Sequence, residues 1–175
     1  MMARRRFLLA DQRGAVIIEL AMVAPVMALL AIGVVDMSNA FSRKLALEQG
    51  AQRAIEKIMQ TTDDTTVEAT LANEAVCQVN GVNANGSCKT SPITTSNVMV
   101  TYRLECTDSG GAVTVQSNTD ATTFNGYTCA SGSSAARYIS INVTDKYTPI
   151  FPLHFSAYNG DGTYHISTTA GMRMQ

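Results

Sequence analysis

The apolar pattern of the chain begins with a long run near the amino terminus. The 21 residues from Ala15 to Val35 carry one charged side chain, Glu19, and one proline, Pro25. As an α-helix with a rise of about 1.5 Å per residue, this run spans about 31 Å, close to the hydrocarbon thickness of a bilayer. The pattern therefore predicts a transmembrane helix over residues 15–35.

The helical pattern continues beyond this run. Apolar side chains recur at helical spacings through residues 36–60: Met37, Phe41, Leu45, Leu47, Ala51, Ala54, Ile55 and Ile58. Gly50 weakens a helix by about 1 kcal/mol. Pro25 cannot donate to the carbonyl one turn earlier and should kink the helix. We therefore expect one rod over residues 15–59, in which residues 36–60 extend the transmembrane helix.

The remaining pattern predicts a small domain over residues 61–175. Thr65 and Glu68 form a capping-box sequence that would open a short helix ending near Val76. Period-two alternation then predicts strands at residues 98–106, 112–117, 138–144 and 163–174. Residues 117–136 are rich in small polar types and predict a long loop. The expected fold class is α+β, with a long amino-terminal helix packed on a small, mainly antiparallel sheet.

Charged residues of this sheet are expected in solvent. They are Arg103, Glu105, Asp145 and Lys146. The aromatic side chains between residues 147 and 155 are expected to lie at an edge or bend and to pack on the helix.

Four cysteines, Cys77, Cys88, Cys106 and Cys129, all follow the apolar run. None forms a C-x-x-C pair, which argues against a zinc or thioredoxin-like site. An even number beyond a membrane segment favours disulfides in an oxidising compartment. Of the three possible pairings we favour the sequential one, because each pair then brackets a turn-rich segment; free buried thiols are the alternative.

Charge is distributed unevenly although the net charge is only −1. Residues 1–14 contain four arginines against one aspartate, so the positive-inside rule places this end in the cytoplasm and the domain outside it. Small residues at Ser38-Asn39-Ala40 and the R-R-x-F-L match at residues 4–8 leave two alternatives, a secretory and a twin-arginine signal peptide. The apolar run is longer than a signal-peptide core and contains Glu19.

Glu19 is the most informative residue of the apolar run. An uncleaved helix could hold it near the cytoplasmic end by snorkelling or by pairing with Arg13. If the chain is cut between Gly14 and Ala15, Ala15 gains a positive α-amino group and Glu19 becomes the fifth residue. The carboxylate of one helix could then bind the amine of the next, in surroundings without water that strengthen such a pair.

This arrangement resembles type IV prepilins, and more narrowly the TadE-like minor pilins (pseudopilins) of the tight-adherence (Tad) pilus. The residues that carry the resemblance are Asp11-Gln12-Arg13-Gly14-Ala15, Ile18-Glu19-Leu20-Ala21, Ala24-Pro25 and Gly33-Val34-Val35-Asp36. It is clear over residues 10–60, moderate over residues 138–175 and poor between them. Major Tad pilins are very short and usually carry tyrosine after the glutamate, whereas Leu20 and a long domain follow Glu19 here.

The resemblance implies cleavage by a prepilin peptidase between Gly14 and Ala15, and a part in assembling or initiating the pilus. It implies a single-pass protein of the bacterial inner membrane, with other pilins and Tad assembly proteins as partners. The alternative is an uncleaved membrane adaptor of the same machinery.

His154 and His165 are the only histidines, and no catalytic or phosphate-binding motif occurs. We therefore expect no enzyme activity, metal, cofactor or nucleic-acid partner.

Overall fold

The computed structural model describes residues 13–60, 64–151 and 159–174, with side chains from Val16 in the first helix and from Thr70 in the second. The elements are α1 (Arg13–Met59), α2 (Asp64–Asn80), a 3₁₀ turn (Thr95–Asn97), β1 (Val98–Thr107), β2 (Val113–Asn118), α3 (Ala121–Asn125), β3 (Ser134–Tyr147) and β4 (Tyr164–Arg173). The predicted α+β class, with a long apolar helix before a small sheet, is confirmed.

Helix α1 is continuous over 47 residues and includes Pro25. At 1.5 Å per residue it is about 70 Å long, more than twice the hydrocarbon thickness of a bilayer. Its carboxyl-terminal half packs on the sheet and on α2, while the rest extends away from the domain. Residues 1–12, most of the predicted leader, lie outside the described part of the chain.

The four strands form one antiparallel sheet in the order β2-β1-β3-β4. β1 and β3 are central and alternate buried with exposed side chains, as the period-two pattern predicts. One face of the sheet packs against α1 and α2. The largest fully buried side chains of this core are Phe124, Leu47, Leu71, Ile93, Leu104, Ile139, Ile141 and Val143.

Gly50 lies at a point of close approach between α1 and α2. A Cβ atom at this position would lie 2.4 Å from Val79 Cγ2 and 3.0 Å from the Val79 amide nitrogen. Only glycine allows this approach without a shift of the α2 backbone. The residue that lowers the helix propensity of α1 is therefore the one that permits the two helices to pack.

Two segments differ from the sequence prediction. Helix α2 runs to Asn80, four residues beyond the predicted end, and the Asn80 side chain bonds both the amide and the carbonyl of Ile93. The predicted loop at residues 117–136 contains helix α3 and the start of β3. Asp120 caps α3 by accepting from the Thr123 amide at 2.6 Å, and Phe124 is fully buried against Tyr102. The proposed Thr65–Glu68 capping box involves side chains outside the described set.

Two disulfides tie the loops to this framework. Cys77 pairs with Cys88 and Cys106 pairs with Cys129, which is the predicted sequential connectivity. The first joins the last turn of α2 to the loop that follows it, and the second joins β1 to the segment after α3. Since cross-links of this kind restrict the unfolded chain, they stabilise a domain whose loops have little core of their own.

Candidate functional site

Helix α1 presents a long unpartnered apolar surface. Among the described residues, one helix is long and apolar enough to cross a membrane, Val16–Met59, and none of its most apolar 18-residue stretch is buried. A soluble helix of this composition would be covered by the protein core. The apolar stretch instead projects away from the domain, as in a membrane anchor.

Glu19 lies within this exposed apolar stretch. Its side chain is exposed, and the next ionisable residue along α1 is Asp36. Glu19 precedes Met37 by 18 residues, or about five helical turns, so the two residues share one side of a straight helix. The structure therefore leaves the Glu19 carboxylate available to a partner on that side.

A seam of large apolar side chains follows α1 with alternating spacings of four and three residues. Its members, which we call the apolar seam, are Val16, Leu20, Val23, Met27, Leu30, Val34, Met37 and Phe41, each between 49% and 68% exposed. Spacings of this kind bring side chains to one face for packing against a second helix. The next two positions are Lys44 and Glu48, an ion pair with a 3.7 Å Nζ–Oε1 separation.

The part of the apolar seam that lies beyond the apolar run of residues 15–35 tells most about what covers the seam. Between Glu19 and Asp36 every face of α1 is apolar, and lipid alone could cover it. Beyond Asp36, Met37 and Phe41 remain exposed, and Leu45 beside them is 54% exposed. Large apolar side chains in contact with water at this spacing indicate a surface that another protein covers.

Asp36 joins α1 to the segment that follows β3. Asp36 is 7% exposed, and its carboxylate accepts from the amides of Ile150 at 2.9 Å and Phe151 at 3.2 Å. The Tyr147 hydroxyl lies 3.4 Å from the same carboxylate. Burial raises the pKa of Tyr147 above its ordinary value, and the Asp36 charge raises it further. A buried carboxylate with three donors fixes this segment to the helix.

Arg43 and Asp145 form a second link, two helical turns further along α1. Arg43 Nε donates to Asp145 Oδ2 at 2.6 Å, and Asp145 is 8% exposed. The prediction that Asp145 lies in solvent is therefore wrong. Asp145 follows Ile141 and Val143 on the core face of β3, and Arg43 supplies the opposite charge that burial of a carboxylate requires.

A shallow groove of about 290 Å³ lies between α1 and β4. Met37, Phe41 and Lys44 line its helix side, and Tyr164, His165 and Ser167 line its strand side. Two seam residues thus form one wall of the groove. A helix that covers the seam would also contact the edge of β4.

A polar cluster lies at the turn between β3 and β4. Asp161 Oδ2 accepts from Lys146 Nζ at 2.8 Å and lies 2.9 Å from His165 Nε2. The hydrogen bonds from Lys146, His165 and Thr163 hold the pKa of Asp161 well below its usual range. The three partners use the acceptor capacity of this carboxylate, so the cluster fixes the turn.

Within residues 13–60, 64–151 and 159–174, no group of three or more histidine, cysteine, aspartate or glutamate side chains could hold a metal ion. His154 lies outside the described residues, and the four cysteines are all in disulfides. The described residues form a helix that is held to a sheet, and an apolar surface of that helix is left uncovered.

A comparison with known protein families gives a match for the sequence of helix α1. Residues 14–55 match the family model described as TadE-like protein. The matched segment lies entirely within α1 and contains Glu19, the apolar seam and Asp36. The resemblance to TadE-like proteins is thereby confirmed over residues 14–55, and it associates the chain with the Tad pilus system. No curated protein and no solved structure gives a significant match to the chain.

The sequence alone singles out some residues of α1 and gives no role to others. Gly14, Ala15 and Glu19 all lie in the first turns of α1, within the TadE-like match. From the sequence, Asp36 is only the last residue of the Gly33-Val34-Val35-Asp36 motif, and Arg43 is given no role. A signal for both does exist, since Asp36, Arg43 and Leu47 are spaced by seven and four residues and share one face of α1. Their partners in the domain could not be inferred from that spacing.

Proposed function

We propose that this protein is a minor pilin of a Tad-type pilus, which takes part in assembling or initiating the fibre. The observation that carries the proposal is the exposed apolar seam, which continues past the membrane-length run to Phe41. A lipid bilayer covers the first part of such a seam, whereas the part beyond Asp36 requires a protein partner. The TadE-like match over this helix supports a pilin helix as that partner.

Cleavage between Gly14 and Ala15 is part of the proposal. Cleavage creates an α-amino group on Ala15, four residues before Glu19. It also removes residues 1–14, whose arginines keep this end of the chain in the cytoplasm. The new amine of one subunit binds the Glu19 carboxylate of its neighbour, in a helix bundle from which water is excluded. Because an unpaired carboxylate is costly there, the pair sets the axial register of the subunits.

The alternative is a single-pass adaptor of the pilus machinery that is never cleaved. In this case Glu19 remains near the cytoplasmic end of the membrane helix and the seam binds a resident membrane partner. Both proposals place the domain on the periplasmic side of the inner membrane. The two disulfides support that side, since disulfides persist in oxidising compartments.

Mass spectrometry of the membrane-extracted protein separates these two functions. We expect the mature chain to begin at Ala15 in cells that contain the prepilin peptidase and at Met1 or Met2 in cells that lack it. The difference in intact mass corresponds to the leader and needs no structural assumption. An unprocessed chain in cells with an active peptidase would exclude the minor-pilin function and leave the adaptor.

Photo-crosslinking tests the seam directly. A benzophenone amino acid in place of Phe41 should crosslink to a second small membrane protein with an apolar amino-terminal helix, which peptide sequencing would identify. Val115 is similarly exposed on the outer strand β2 and provides the matched control position, where we expect no such product. Equal crosslinking at both positions, or none at Phe41, would contradict a helix partner at the seam.

A further inference from the structure

We infer that the segment of residues 148–151 forms a second membrane contact, which lies on the outer face of the lipid bilayer. We call residues 148–151 the membrane loop. This inference rests on the proposed membrane anchoring of α1, and it adds a lipid-binding surface on the domain itself. Its partner is the interface between headgroups and acyl chains on the periplasmic side.

The position of the membrane loop follows from its bonds to Asp36. The amides of Ile150 and Phe151 lie 2.9 Å and 3.2 Å from the Asp36 carboxylate. Asp36 is the first ionisable residue after the uncharged stretch of residues 20–35. The end of that stretch marks the boundary of the hydrocarbon region in a membrane-spanning helix. The membrane loop is therefore held at the height of the bilayer surface.

The side chains of the loop suit this position. Ile150 is 62% exposed and Phe151 is 38% exposed, although each is large and apolar. Ile32, about one turn before Asp36 on the same face of α1, is partly exposed and leads from the loop into the apolar run of the membrane helix. A surface of this kind that is continuous with a membrane anchor is covered by lipid when the anchor is inserted.

The backbone of the loop also suits an environment poor in water. An amide without a partner is costly at membrane depth, so irregular segments are excluded there unless their donors are satisfied. Pro149 has no amide donor, and the donors of Ile150 and Phe151 are both used by Asp36. Three successive residues can therefore approach the acyl chains without an unpaired amide.

Single-tryptophan fluorescence tests the inference, because the natural chain contains no tryptophan. The full chain carrying Ile150→Trp would be reconstituted into phosphatidylethanolamine–phosphatidylglycerol vesicles that contain lipids brominated at a shallow or a deep acyl position. We expect emission at shorter wavelength than in water, strong quenching by the shallow bromine and weaker quenching by the deep one. Phe151→Trp should report the same depth, which guards against a local disturbance at Ile150.

Two further variants make each outcome decisive. Leu30→Trp reports the membrane helix and should be quenched most by the deep bromine, whereas Val115→Trp on β2 should be quenched by acrylamide alone. If Leu30→Trp is quenched by lipid while both loop variants behave like Val115→Trp, the inference is overturned and the anchoring stands. If Leu30→Trp itself escapes lipid quenching, the anchoring fails and the membrane loop fails with it.

Discussion

Replacement of Asp145 by alanine should lower the free energy of unfolding by about 2–4 kcal/mol. This range is somewhat below that for breaking a fully buried ion pair, because the Arg43 side chain is 22% exposed. The substitution leaves the guanidinium without its 2.6 Å acceptor inside the packed face between α1 and β3. Arg43 Nη2 is already buried without an acceptor among the described residues. Loss of Asp145 therefore leaves most of this cation unsatisfied.

Urea unfolding of the detergent-solubilised protein with its disulfides intact, followed by circular dichroism, would measure this loss. Glu48→Ala removes the partner of an exposed ion pair on the same helix and should change the unfolding free energy by less than about 1 kcal/mol. The double variant Arg43→Met, Asp145→Leu should recover much of the stability, because apolar side chains of similar size can replace a buried pair. Equal stability of Asp145→Ala and the natural protein would show that the pair contributes nothing.

Replacement of Glu19 by alanine should leave cleavage before Ala15 largely intact and strongly impair incorporation of the protein and pilus assembly. In the proposed function the bond before Ala15 is cleaved first, and Glu19 then binds the α-amino group of a neighbouring subunit. Without the carboxylate that amine lies unpaired among apolar helices, which is costly in surroundings of low dielectric constant. Intact-mass analysis would follow cleavage, and electron microscopy with immunolabelling would follow pilus number and incorporation.

Two control variants narrow the interpretation of that experiment. Glu19→Gln keeps the size and hydrogen-bonding capacity of the side chain and removes its charge, so a loss like that of Glu19→Ala assigns the effect to charge. Glu56→Ala changes an exposed glutamate on the domain half of α1 and should assemble normally. Normal piliation with Glu19→Ala would count against the proposed pairing even if the mature chain begins at Ala15.

The elements that could be predicted from the sequence are those with strong local signals. The apolar run and the helical spacings after it determine α1, and alternation in β1 and β3 determines the centre of the sheet. Helix α3 could not be predicted because it is only five residues long and has no period to detect. Its stability comes from the Asp120 cap and from burial of Phe124 against Tyr102, a contact between distant parts of the chain.

The same distinction applies to the candidate site. Glu19 could be identified because a carboxylate in an apolar run is unusual within its own sequence neighbourhood. Asp145 was placed in solvent on the basis of residue type, although its alternation with Ile141 and Val143 points to the core. Its partner Arg43 is 102 residues away, so the ion pair that resolves this conflict could not be inferred locally. Asp36 likewise receives its donors from residues more than 100 positions away.

The continuity of α1 has a mechanical consequence. The helix that carries the membrane-length apolar run is the same helix whose Leu47, Ala51 and Ala54 are fully buried in the domain, and residues 36–46 between the two parts contain no glycine or proline. Tension applied to the anchor therefore acts as shear along the face between α1 and β4, where many contacts resist it together. A flexible tether would let the domain swivel, whereas this helix transmits both pull and torque from the membrane to the sheet.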